Sequence, residues 1–444
     1  PFLKGLNVSD SRLIDGLASG ETMHAFARTL FPICRSLTGD GVRQSLKLIQ
    51  NVLPELAVHE VPSGTAAFDW TVPDEWNIRT AYIEDPAGKR VVDFATHNLH
   101  VVGYSTPVDT TLTLDELQSH LHSLPDRPDV IPYVTSYYKR DWGFCLSHAL
   151  RETLVPGNYR VVIDADLAPG SMTYGDLVIP GKSTDEILFS TYICHPSMAN
   201  NELSGPVVAT FLAQWISNID RHYTYRFVFV PETIGTVVYL SRLLDHLKRH
   251  VRAGFVMTCC GDEGPFSYMP SRTGLTYADK IARRVLSRHK PDFVSYSFLQ
   301  RGSDERQYCS PLVDLPVASV MRSKYHVYPE YHTSADDLNF VTAKGLSETL
   351  AIYAEIVATI ECNELYTAVV HGEPQLGKRG LYPNTGGQVD QDAVSATVDL
   401  LAFADGTNDL EDIAQLTSHD HTTLKQLTDI LVQHGLLTTD RFQG

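Results

Sequence analysis

Ile187-Leu-Phe-Ser-Thr-Tyr-Ile193, followed by Cys194-His-Pro-Ser-Met-Ala-Asn-Asn-Glu-Leu-Ser-Gly-Pro206, is the stretch whose reading decides the fold. A continuous apolar run of this length is what a strand buried on both faces requires. Beyond the polar loop, Val207, Val208, Phe211, Leu212 and Trp215 recur at helical spacing between Leu203 and Ser217. The buried-strand texture returns at Tyr225-Arg-Phe-Val-Phe-Val230, Phe255-Val-Met-Thr258 and Pro316-Val-Ala-Ser-Val-Met321. Strands separated by helices predict an α/β fold, a mostly parallel open sheet with helices on both faces. Sites in such sheets lie beyond the carboxyl ends of the strands, and the polar clusters of this chain fall there.

On the N-terminal side, residues 9–56 look helical. Leu13, Leu17, Met23, Phe26 and Leu30 lie near helical spacing, and Ser36-Leu-Thr-Gly-Asp-Gly41 turns the chain before Val42, Leu46 and Ile49. Between 65 and 183, short β-type runs (Thr80–Glu84, Arg90–Phe94, Tyr159–Ile163) alternate with Pro, Gly, Asp and Asn. That stretch also holds Trp70, Trp76 and Trp142. Near the C-terminus, Asp409–Leu416 and Thr422–Gln433 are amphipathic, followed by Gly435 and a short Leu-Leu-Thr-Thr. The expected organisation is a catalytic domain from 1–64 and 184–378, a β-rich insert at 65–183, and a small winged-helix domain at 379–444.

Composition excludes some functions. Of 444 residues, 43% are hydrophobic and 20% charged, so the chain can bury a sizeable core. The formal net charge of −17 argues against a nucleic-acid partner, which needs an excess of Lys and Arg. For the same reason the tail reads as a packing or docking module, for a protein partner or a second copy, and not as a DNA reader. No apolar run reaches the roughly 18 residues of a membrane span, and residues 1–30 carry no signal-peptide pattern. Seven scattered Cys without a C-x-x-C pair read as reduced thiols of a cytoplasmic protein.

Five clusters could carry chemistry. His195 and Asn201-Glu202 flank a loop between strand end and helix start, a spacing at which an imidazole and a carboxylate can meet one metal ion. Glu232, in Val230-Pro-Glu-Thr-Ile-Gly235, ends the next strand and could act as general base. Tyr331-His332 offers a second imidazole, with Asp336 placed to orient it or a neighbour. Arg301-Gly-Ser-Asp304-Glu-Arg306 is a polar loop that could line a pocket, and Asp262-Glu263 closes the third strand. Each cluster alone is also compatible with an ordinary solvated loop.

Together they resemble the di-zinc aminopeptidases, whose pattern runs His, Asn-Asp-x-x-Ser-Gly, Glu-Glu-x-Gly, a strand-end Asp and a Tyr-His-Thr loop. The likeness covers residues 184–375 and extends, with a β insert and a winged-helix tail, to an aminopeptidase-like family found with polysaccharide or secondary-metabolite genes. The resemblance implies His195 and His332 as metal ligands and Glu232 as the base. It breaks at Asn201, Thr233 and Thr258, where the family pattern has the bridging Asp, the second Glu and the strand-end Asp. A neutral amide cannot offset the repulsion of two dications, so one zinc is expected and not two, with Glu202 or Asp262 supplying its carboxylate. Asn201, Arg301, Asp304 and Tyr331 are expected to contact a small-molecule or short-peptide substrate.

The expected function is a metal-dependent amide hydrolase, an aminopeptidase or a deacylase of a small amino-containing metabolite. The alternative is a descendant without peptidase chemistry that binds a ligand or protein.

Overall fold

A computed structural model describes residues 16–381 and 391–440. Glu186–Tyr192 and Thr224–Val230 are buried at every position and run parallel. Val251–Val256 pairs parallel with the first of these strands, and Val317–Met321 continues the parallel core. The third strand begins earlier than its apolar residues suggest, at Val251, and ends at Val256.

Antiparallel pairings flank the parallel core of the eight-stranded sheet on both sides. Ser171–Ile179 runs against Thr224–Val230, Ala57–Pro62 runs against Ser171–Ile179, and Ser267–Met269 runs against Val317–Met321. Side chains alternate across the sheet with the two-residue period of a strand. Leu188, Val228 and Val256 face the helix Ile234–His250 through Val237, Val238 and Leu247. On the other face Phe189 stacks between Phe227 and Phe255, and Tyr353 meets it edge-on. Helices therefore cover both faces.

The two N-terminal helices are Gly20–Leu30 and Asp40–Val52; the predicted helical positions 9–15 lie outside the described residues. Within the β-rich stretch, Arg90–Asp93, Glu75–Glu84, Asn158–Ala168 and Val108–Thr113 form a separate four-stranded antiparallel sheet. Ser171–Ile179, grouped by texture with 65–183, is instead a strand of the main sheet. Its hydrogen bonds go to partners at 57–62 and 225–229, which local pattern does not reveal. Arg43 ties this insert to the scaffold, bonding the Glu75 carboxylate at 2.7 and 2.8 Å and Glu60 at 3.1 Å.

The C-terminal unit has helices Gln391–Phe403, Leu410–Thr417 and His421–Gln433 around Leu400, Ile413, Leu424 and Leu431. Its three-stranded sheet places Leu365–Ala368 between Asp405–Asp409 and Leu437–Asp440. The predicted C-terminal hairpin is thus a pairing with a strand that precedes the expected boundary at 379. The seven cysteines are free. No helix among the described residues is long and apolar enough to cross a membrane.

Candidate active site

The loops after the parallel strands converge on one cleft of about 260 Å³. His195 and Glu232 lie at its polar end, while Leu37, Trp70, Tyr137 and Ile234 supply its walls. Four non-glycine residues of these loops, Ser197, Thr233, Cys259 and His332, have φ between 42° and 66°. Such strain persists only where the surroundings over-determine it.

The surroundings are visible at each position. Asp336 accepts the backbone N–H groups of Asn200 (2.5 Å) and Asn201 (3.0 Å), fixing the start of the π-helical turn Ala199–Leu203. Asp304 accepts Thr233 N–H at 2.7 Å, and Arg306 Nη2 donates to Thr233 Oγ1 at 2.7 Å. The turn carrying Glu232 is thereby held from two sides. Tyr133, from the insert, donates its N–H to His332 O at 2.9 Å, and Pro132 bridges Thr333.

His195 is oriented by Glu202. Its Nδ1 donates to Glu202 Oε2 at 2.6 Å, while Glu202 Oε1 accepts Cys194 N–H. That leaves Nε2 facing the cleft, 3.5 Å from Glu232 Oε2. The His332 ring centroid lies 5.6 Å from that of His195, and Tyr133 packs against both rings at 5.1–5.2 Å. Tyr331 stacks on His332 at 3.9 Å. Burial pulls the His195 imidazole down, but Cys194 and Glu202 outweigh it and hold the ring well above its ordinary value. Burial, then the neighbours His195 and His326, push His332 down to about 2. Burial lifts Glu232 to about 8 against the pull of His195.

Cys194, His195 and Glu202 offer donor atoms within 4.8 Å of one another. They read as a hydrogen-bonded trio and not as a cation site. Two ligand atoms of a tetrahedral zinc with bonds near 2.05 Å stand roughly 3.3 Å apart, so Nδ1 and Oε2 at 2.6 Å share a proton instead. The better fit is on the cleft side: His195 Nε2 to Glu232 Oε2 is 3.5 Å, and His332 Nε2 to Asn201 Oδ1 is 3.1 Å. Each pair presents donor atoms on the cleft side, with the His195 and His332 ring centroids 5.6 Å apart. A second cation would need carboxylates where Asn201, Tyr192 and Thr258 instead close a neutral ring. In that ring Asn201 Nδ2 donates to Tyr192 OH (2.8 Å), which lies 2.5 Å from Thr258 Oγ1, and Thr258 Oγ1 donates to Asn201 O (2.9 Å).

Several expected residues have other work. Glu202, expected as a metal ligand, is fully buried and positions His195. Asp262, the other carboxylate expected at the metal, accepts from Gly264 N, Ser323 Oγ, Ser323 N and Asn200 Nδ2, which occupies both its oxygens. Asp304, expected to touch substrate, is fully buried beneath Thr233. Asn201, given the same role, is 2% exposed and committed to the ring. Arg301 lies on the surface over the Phe298 ring, outside the cleft lining. Tyr331 stacks on the His332 ring. Sequence reasoning missed Tyr133 and Tyr137, whose hydroxyls lie 2.9 Å apart. The tyrosine-rich run Tyr133-Val-Thr-Ser-Tyr-Tyr138 was the available signal.

The family described as "Domain of unknown function (DUF4910)" matches residues 24–363, and a winged helix-turn-helix family matches 364–439. A Clostridium acetobutylicum protein described as "Putative polysaccharide biosynthesis protein with aminopeptidase-like domain" is 45% identical over 421 residues, 94% of this chain and 96% of that protein. The crystal structure of a "putative peptidase" from Clostridium acetobutylicum matches with a TM-score of 0.83 at 44% identity, over 95% of this chain and 96% of that one. BSAP, a zinc aminopeptidase from Bacillus subtilis, shares the fold at 13% identity with a TM-score of 0.55, over 76% of this chain and 94% of that one.

Proposed function

The chain belongs to the DUF4910 family, with an aminopeptidase-like fold and a winged-helix tail, and from that premise we propose that it is a metal-dependent amide hydrolase. The observation that carries this reading is the pairing of His195 Nε2 with Glu232 at 3.5 Å in the cleft, His195 Nδ1 being locked by Glu202. His195 and His332, with Asn201 Oδ1 beside the latter, would hold a single zinc ion. Bound there, zinc would supply Lewis-acid polarisation of the scissile carbonyl and acidify water.

Glu232 is the carboxylate that opens to the cleft, with a side-chain exposure of 22%. It takes a proton from the attacking water as the new C–O bond forms, and returns it to the departing amine as the C–N bond breaks. A group held near 8 by burial is poised for both transfers close to neutral pH. Tyr133 and Tyr331 pack about the imidazoles and restrict water around them. Similarity to the Clostridium acetobutylicum protein, described as a putative polysaccharide biosynthesis protein, supports a role for the reaction in polysaccharide biosynthesis. We read the C-terminal unit as a docking module for protein.

The neutral ring of Asn201, Tyr192 and Thr258 favours one second reading, a descendant that binds ligand without hydrolysing it. Glu232→Gln separates the two. The hydrolase reading expects zinc content near one per chain in both proteins, with amide hydrolysis present in the wild type and lost in the variant. Absence of zinc from wild type purified without chelator, with no hydrolysis on adding Zn²⁺ or Co²⁺, would refute it. Loss of zinc from the variant alone would make Glu232 a ligand instead of a base.

A further inference from the structure

The carboxylates around the site are unevenly placed. A substrate with a free amino terminus brings an ammonium group into the cleft, and a desolvated ammonium needs a carboxylate partner. Glu202, Asp262, Asp304 and Asp336 are each at most 1% exposed. Each is also bonded to a neighbouring backbone or side-chain group. Glu232 alone opens to the cleft, and the proposed reaction already uses it.

Basic groups show the opposite placement. Arg306 reaches Thr233 Oγ1 on the cleft wall, and its charge acts on Glu232, Tyr331 and His326. His326 is exposed, 4.5 Å from the Tyr331 ring and 6.4 Å from His332. Arg301 is exposed on the same loop as Arg306, and Gly302 between them approaches the Tyr325 and His326 side chains. Neither arginine forms an ion pair among the described residues. By contrast Arg43, Arg79, Arg226, Arg272 and Arg322 all hold carboxylates. Lys324 does not add to the exposed basic groups: it is buried, and Glu305 lies behind it, accepting Tyr325 OH and the N–H groups of Gly302 and Ser303.

We infer that Arg306, held against the wall residue Thr233, with His326 beside Tyr331, forms an anion-binding rim of the cleft. The substrate is then an N-acylated compound carrying a carboxylate or phosphate, and not a peptide with a free amino terminus. The inference rests on the amide-hydrolase reading and supplies its substrate class. A guanidinium suits either acid, because its planar fork matches both.

Binding to the full-length, zinc-loaded protein tests this by calorimetry with four probes. N-acetyl-L-leucine carries a carboxylate and N-acetylglucosamine 1-phosphate a phosphate; N-acetylglucosamine is neutral and L-leucine amide is cationic. At least one anionic probe should bind about tenfold or more tighter than the neutral and cationic ones, the size of one charge-assisted hydrogen bond. Which anion binds better identifies the acid. Arg306→Gln should erase that preference while leaving N-acetylglucosamine binding unchanged, and Arg306→Lys should restore part of it. Arg301→Gln, outside the cleft lining, should leave both anion binding and the melting temperature unchanged. Leucine amide binding as tightly as the anions, or no saturable binding of either anion, overturns the inference. If the anions bind but no amide is cleaved, the hydrolase reading fails and the anion site stands. Cleavage of leucine amide with no preference for anions gives the reverse.

Discussion

Replacing Glu202 by Gln probes the device that aims His195. Gln preserves the volume and one acceptor oxygen, but its amide nitrogen must face either Cys194 N–H, donor against donor, or His195 Nδ1. The second costs less, because imidazole can change tautomer. That exchange moves the ring proton onto Nε2, the atom 3.5 Å from Glu232 that a metal would need unprotonated. Loss of such an orienting carboxylate typically lowers metal affinity by about 10–100-fold, roughly 1.4–2.7 kcal/mol. Stability falls as well. Arg35 is 1% exposed, its guanidinium is drawn down by burial, and the charge of Glu202 is what opposes that most strongly. Removing the anion leaves a buried cation uncompensated, at a cost of about 3 kcal/mol. Competition of a chromophoric chelator for zinc near neutral pH gives the first quantity, and urea unfolding of metal-free protein gives the second. Zinc affinity within twofold of wild type would refute the role assigned to Glu202.

Three further outcomes follow from the same geometry. Metal uptake should release protons, because His195 is held above its ordinary value and Glu232 near 8 in the metal-free site; affinity should therefore rise with pH between about 6 and 8. Calorimetry in two buffers of different ionisation enthalpy checks this, and equal heats would contradict it. His332→Ala should weaken zinc by at least tenfold; unchanged affinity in an equilibrium titration would remove His332 from the site. Arg43 holds Glu75 down near 2, so this carboxylate contributes stability above its ordinary value of 4.5 and loses it as pH falls towards 2. Both groups are partly solvated, so the contribution is about 1 kcal/mol after screening; Glu75→Gln should lose that margin in urea unfolding at neutral pH but not near pH 2, and an equal loss at both would sink the assignment.

The sheet core was legible because its strands are buried on both faces, so their sequences are continuous apolar runs that little else in the chain imitates. The edges were not. Ser171–Ile179 carries Thr173, Gly175 and Asp176 among its apolar residues and looks like the neighbouring insert, and only its long-range pairings reassign it. The tail's central strand, Leu365–Ala368, was hidden for the same reason, since its partners lie 37 or more residues downstream. His195 and Glu232 stood out as candidates because each follows the end of a buried strand, at Tyr192 and Val230, whereas Tyr331 and His332 lie ten and eleven residues beyond Met321. Glu202 and Asp262 were visible as acids, but the hydrogen bonds that occupy their oxygens were not. Spacing says that a carboxylate is near an imidazole, and not which oxygen is already taken. Tyr133 was invisible to this reasoning because it enters from the insert, joined to His332 by backbone pairing across 199 residues.

The strain at the site bears on its use. Left-handed backbone at Ser197, Thr233, Cys259 and His332 costs free energy at each position. The enclosed anions Asp304 and Asp336 are part of the same cost, their carboxyls lifted by burial to about 6 and about 7. A fold with no use for the site gains stability by relaxing any of these features, and none is relaxed. Asn201 and Thr258 are neutral, and Tyr192 joins them in a ring that needs no cation. Two like charges a few Å apart in a dry site require anions between them, and this ring removes that possibility while leaving His195 Nε2 and Glu232 untouched. On the proposed reading the site therefore serves one cation, at His195 Nε2 and its neighbours, and leaves no anion for a second.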